Sequence, residues 1–112
     1  MENLESRLSV IATETETIAG DIRAKITYLV KSIADTLKEI SEQGDEVGDM
    51  EIFTACDEIT KVTLKHIPDF EPEEHRSDDP VEVIGDILTR IGVSPKEKEE
   101  LLKAFDPEEY ED

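Results

Sequence analysis

The chain has 112 residues, enough for one modest domain with one core and too few for two. Its aromatic fraction is 4%, with no Trp, so the core must be aliphatic, built from Ile, Leu and Val and suited to helix packing. The net charge of −18 repels DNA, RNA and anionic lipid across a Debye length of about 8 Å and favours basic protein surfaces, which sets direct nucleic-acid and membrane binding aside.

The charge is unevenly placed. Residues 1–43 carry eight acids and five bases, a net of −3, which leaves −15 for residues 44–112. The single cysteine, Cys56, excludes an internal disulfide framework and, among apolar neighbours, reads as a small buried hydrophobe. A reducing cytoplasm is the expected home. No apolar run approaches the roughly 20 residues of a bilayer span, and "MENLESRLSV" lacks the basic start and apolar stretch of a signal peptide.

In chain order, Leu4, Leu8, Ile11, Ile18, Ile22, Ile26, Leu29, Ile33, Leu37 and Ile40 follow steps of three or four, the period of a helix, apart from one gap where Thr15 takes the place. From Ile18 the stripe repeats every eleven residues, which describes a nearly straight line along the helix. Unbroken from residue 3 to 42 it would be about 60 Å long, against a radius of gyration of about 13 Å for a domain of this size. Either the helix breaks or it packs on another chain. The weak point is "TETETIAG", where Thr13 and Glu16 have capping-box spacing; a short helix to about residue 12 and a long one over 14–42 is the alternative. On the unbroken reading, Ile18, Ile22, Ile26, Leu29, Ile33 and Leu37 are the candidate self-association stripe, which makes the chain a homo-oligomer. The other reading of the same stripe is intramolecular core.

"GDEVGD" then forms an elbow, with Asp49 placed to cap a middle helix whose apolar side is Ile52, Phe53, Cys56, Ile59, Thr63 and Ile67. Pro68 ends that helix. Residues 68–79, rich in proline and acid, read as a linker. In 80–105, Asp79 caps and Pro80 opens a helix lined by Val81, Ile84, Ile87, Leu88 and Ile91; Gly92 closes it. Ser94, Pro95 and Glu97 start a last helix carrying Leu101, Leu102 and Phe105. Residues 106–112 are an acidic tail. The expected fold is therefore all-α: a long N-terminal helix packed with a middle helix, and a C-terminal helical hairpin.

Few constellations offer chemistry. Glu39 with Glu42, and Glu46 with Asp49, form two carboxylate pairs of the kind that hold Mg²⁺ for phosphate chemistry. "EVGDM" resembles the second half of the motif of the all-helical, MazG-like nucleotide pyrophosphatases. That resemblance covers about five residues and implies Mg²⁺ at Glu39, Glu42, Glu46 and Asp49. The chain departs from the family pattern in setting Glu42 only four residues before Glu46 and in placing Gly48 inside the second pair. His66 and His75 lack the i, i+3 or i, i+4 spacing by which one helix presents two metal ligands. No phosphate-binding glycine loop or nucleophile elbow occurs. The last helix, "SPKEKEELLKAF", balances three Lys against three Glu, unlike a basic recognition helix.

The reading is a small interaction protein rather than an enzyme, without a cofactor, whose acidic half engages a basic protein partner. Glu71, Glu73, Glu74, Asp78 and Asp79 are the candidate partner-binding residues, being dense and presented on a loop. Carboxylates spaced along helices can imitate a phosphate backbone, and in size and charge the chain resembles the decoy proteins that occupy nucleic-acid-binding grooves. The alternatives are the Mg²⁺-dependent pyrophosphatase and a structural subunit of a larger assembly.

Overall fold

The computed structural model describes residues 4–71 and 80–106. They form five helices: α1 (Leu4–Thr17), α2 (Ile22–Glu42), α3 (Asp49–His66), α4 (Pro80–Arg90) and α5 (Pro95–Lys103). No strand occurs among the described residues. The all-helical class and the C-terminal hairpin agree with the sequence pattern. With a radius of gyration of 13.3 Å and a longest extent of 37 Å, the molecule has no room for an unbroken 60 Å rod.

The first helix accordingly breaks, but later than the threonine pattern suggests. Thr13 does not cap; its hydroxyl donates to the Ser9 carbonyl at 3.0 Å, and Thr15 does the same to Ile11 at 2.8 Å. These bonds one turn back keep both threonines inside α1. The break falls at Ile18–Asp21, and Asp21 is the cap of α2, its Oδ1 accepting from the Ala24 N–H at 3.0 Å. Asp21→Ala is expected to lower stability by about 1 kcal/mol, read as a shift in the urea unfolding midpoint at unchanged slope. An unmoved midpoint would mean that the bond contributes nothing net.

Helix α1 lies against α2 and α3, α3 also packs on α2 and α4, and α5 closes on α4 and α2. The core between them takes Ile26, Leu29, Val30, Ile33 and Leu37 from α2, Ala55 and Ile59 from α3, Ile84, Ile87 and Leu88 from α4, and Phe105. All are fully inaccessible. Burial of each large aliphatic side chain contributes about 1.5–3 kcal/mol. The stripe offered above for self-association is thus covered from within. Ile26, Leu29, Ile33 and Leu37 are core, Ile22 packs at its edge and Ile18 is half-buried in the α1–α2 connection. No continuous apolar line remains on α2 for a second copy, because α1, α3 and α5 occupy its apolar side.

The hairpin forms as its punctuation dictates. Gly92, at φ +90°, takes the left-handed position after α4, letting its own N–H reach Thr89 O at 3.1 Å and the Val93 N–H reach Leu88 O at 3.0 Å. That pair of bonds closes the helix end. Ser94 Oγ then accepts from the Glu97 N–H at 3.3 Å to open α5, with Pro95 at its first position.

Candidate functional site

The elbow between α2 and α3 is built by the same helix-ending device. Gly44 has φ +88°; its N–H donates to Ser41 O at 3.0 Å, and that of Asp45 to Ile40 O at 3.2 Å. Val47, 5% exposed, pins the loop to the core. Gly48, not Asp49, is the residue that caps α3. Its extended backbone donates to Glu51 Oε1 at 3.4 Å, so Asp49 becomes the first helical residue, where its charge complements the positive helix end.

The four carboxylates weighed as a metal site are spread over this elbow. Glu39 is held by Arg7 of α1 at 2.9 Å. Glu42 ends α2, Glu46 lies in the loop and Asp49 starts α3. Among the described residues no three His, Cys, Asp or Glu side chains group so as to hold a metal ion. Glu42, Asp45, Glu46 and Asp49 are exposed. Of the candidate linker contacts, Glu71 is exposed; Glu73, Glu74, Asp78 and Asp79 lie outside the described residues, as does His75. The start of that linker is anchored, since Phe70 is 6% exposed and its N–H donates to Ile67 O at 3.0 Å.

The outer face of α3 was not visible in the sequence pattern. Phe53, expected on the apolar side, is 61% exposed, as are Met50 at 79% and Leu64 at 41%. The buried side of α3 is Ile52, Ala55, Cys56, Ile59, Val62 and Thr63, and Phe53 stands about 100° around the helix from Ile52. The available signal was Ala55 and Val62, which shift the centre of the apolar stripe away from Phe53. This face lies in an acid-rich stretch of the chain: from Glu39 to Glu58 there are eight carboxylates and no base, and none of the eight is buried.

Two further features are local in effect. A cleft of about 620 Å³ between α2 and α5 is lined by Lys31, Lys38 and Lys96 but equally by Asp35, Glu97 and Glu100; Lys31 and Glu97 approach at 4.0 Å, so its charge is balanced. Elsewhere, His66 Nε2, in the last turn of α3, meets Glu16 Oε1 of α1 at 2.8 Å. This hydrogen bond, assisted by the charges of His66, Lys25 and Lys65, holds the Glu16 carboxyl below its ordinary value of 4.5. A depressed folded-state value means that the contact stabilises above pH 4.5 and is lost as pH falls through the lowered value. Wild type and Glu16→Gln are therefore expected to differ in urea midpoint at about pH 6 and to converge at about pH 3. An equal gap at both would show that the Glu16 charge contributes nothing.

The described interior holds no buried carboxylate, amine or imidazole; its buried polar side chains are Thr15, Thr36 and Thr63. Each hydroxyl donates to a carbonyl one turn back, at 2.8–2.9 Å. No helix among the described residues is long and apolar enough to cross a membrane. Comparison with known proteins finds no matching family, no matching curated protein and no matching solved structure.

Proposed function

We propose that the chain is a small acidic interaction protein whose solvent face engages a basic surface of a protein partner. The observation that carries this reading is the run from Glu39 to Glu58, eight carboxylates without a base, spread over the end of α2, the elbow and the first half of α3 with none of them buried. Like charges so gathered raise the free energy of the compact state, and a cationic surface relieves that repulsion. A nucleic-acid-binding groove is one such surface, since carboxylates stand in for phosphates there.

The test is a pull-down with the tagged chain from its source cells, washed at about 0.1 M and at about 0.5 M salt, a step across which screening shortens from about 10 Å to a few Å. A basic protein retained at the lower salt, released at the higher, and lost when Glu42, Asp45, Glu46 and Asp49 are changed to their amides supports the reading. Changing Glu71, Glu73, Glu74, Asp78 and Asp79 to amides in parallel asks whether the linker shares the contact. A partner indifferent to salt and to both sets of changes overturns the reading.

A further inference from the structure

The exposed apolar side chains of α3 adjoin the acidic stretch at Asp49 and Asp57, and that adjacency specifies more than a charge. Among the described residues the large exposed hydrophobics are Val10, Met50, Phe53 and Leu64; Val10 stands on α1, the other three on one helix. Met50, Phe53, Asp57 and Leu64 project within about 60° of one another around α3, opposite the side that packs on the core. The stripe from Met50 to Leu64 runs about 21 Å. Its carboxylates are interleaved with its apolar members: Asp49 beside Met50, and Asp57 one turn beyond Phe53. The base on the stripe, Lys61, is 3.6 Å from Asp57.

Resting on the reading of the chain as an acidic interaction protein, we infer that the outer face of α3 is a docking surface for a cationic amphipathic helix of a partner protein, with Met50 and Phe53 as its apolar anchors. Two features select this occupant. A wholly polar basic segment would leave Phe53 and Met50 in water, whereas a helix with its own apolar side covers them and sets Lys or Arg at its flanks against Asp49, Asp57 and the elbow. A second copy of the chain is disfavoured on this face, because a two-fold contact would bring the same carboxylates opposite one another. Flexible Met beside a rigid aromatic ring also suits a surface that must adapt to a helix.

The experiment compares two labelled synthetic peptides of equal length and charge, one a Leu/Lys amphipathic helix and the other a Gly/Ser/Lys chain with no apolar side, by fluorescence anisotropy against the full chain. The expected result is tighter binding of the amphipathic peptide, weakened about tenfold in the double variant Met50→Ser/Phe53→Ser, with the weak binding of the polar peptide unchanged. Both side chains are more than half exposed, so the variant folds, and its thermal melt checks that. If both peptides bind alike, with a salt dependence but no effect of the double variant, the α3 surface is overturned while the acidic reading stands. If neither binds at low salt, both fail. A concentration-dependent dimer in sedimentation that the double variant abolishes would overturn the proposal in favour of a second copy.

Discussion

Ile33→Asp is expected to unfold the chain. Ile33 is fully inaccessible at the middle of α2, where α1, α3 and α5 close over the apolar side. A carboxylate there has no partner and either loses its charge or draws water into the core, at a cost of about 4 kcal/mol or more. Domains of this size have about 5–15 kcal/mol in all. The measurement is far-ultraviolet circular dichroism with gel filtration at 25 °C: loss of most helicity is the expected outcome. A helical variant that merely elutes as a smaller species would mean instead that the Ile18–Leu37 stripe faces a second copy.

The next largest effect belongs to Phe105, which lies beyond the end of α5 and yet is the bulkiest of the fully buried side chains among the described residues. Its N–H reaches back to Leu102 O at 3.0 Å, turning the ring inward under the hairpin. Phe105→Ala removes a ring that the surroundings cannot refill, at a cost of about 3–5 kcal/mol. Leu102→Ala, at a half-buried neighbour, should cost markedly less. Urea unfolding of the two variants decides it: near-equal midpoints would show that the chain end is only loosely applied to the core.

What the sequence could and could not disclose divides along physical lines. The α4–α5 hairpin was legible because its signals are local: Pro80, Gly92, and Ser94 followed by Pro95 act through their own backbones, and the structure uses each one it describes. The period of α2 was legible for the same reason. The position of the α1–α2 break was not. A threonine hydroxyl can cap a helix or bond one turn back; exposed Thr13 and buried Thr15 both take the second course, and α1 runs on to Thr17. Asp49 lost the cap to Gly48 because Glu51, three residues on, satisfies the Gly48 N–H. Phe53 was misplaced because the rotation of α3 about its axis is set by packing against α1, α2 and α4, which no short pattern encodes. Of the site, the carboxylates of the elbow could be read directly, but the apolar side chains standing among them could not.

The smaller share of the core taken by α1 than by α2 has a consequence for motion. That helix buries Leu8, Ile11 and Thr15, whereas α2 buries eight residues, and its side-chain tethers to the rest are polar, Arg7 with Glu39 and Glu16 with His66. Opening is ranked by how much apolar contact each unit gives up. Amide protons of α1 should therefore exchange with deuterium well before those of Leu29–Leu37, in a step that leaves α2 and α3 closed. Simultaneous exchange of both helices would mean that the five helices open as one unit. Such partial release would uncover the α1-facing sides of α2 and α3 for a time, giving the molecule a second, briefly accessible surface without the cost of global unfolding.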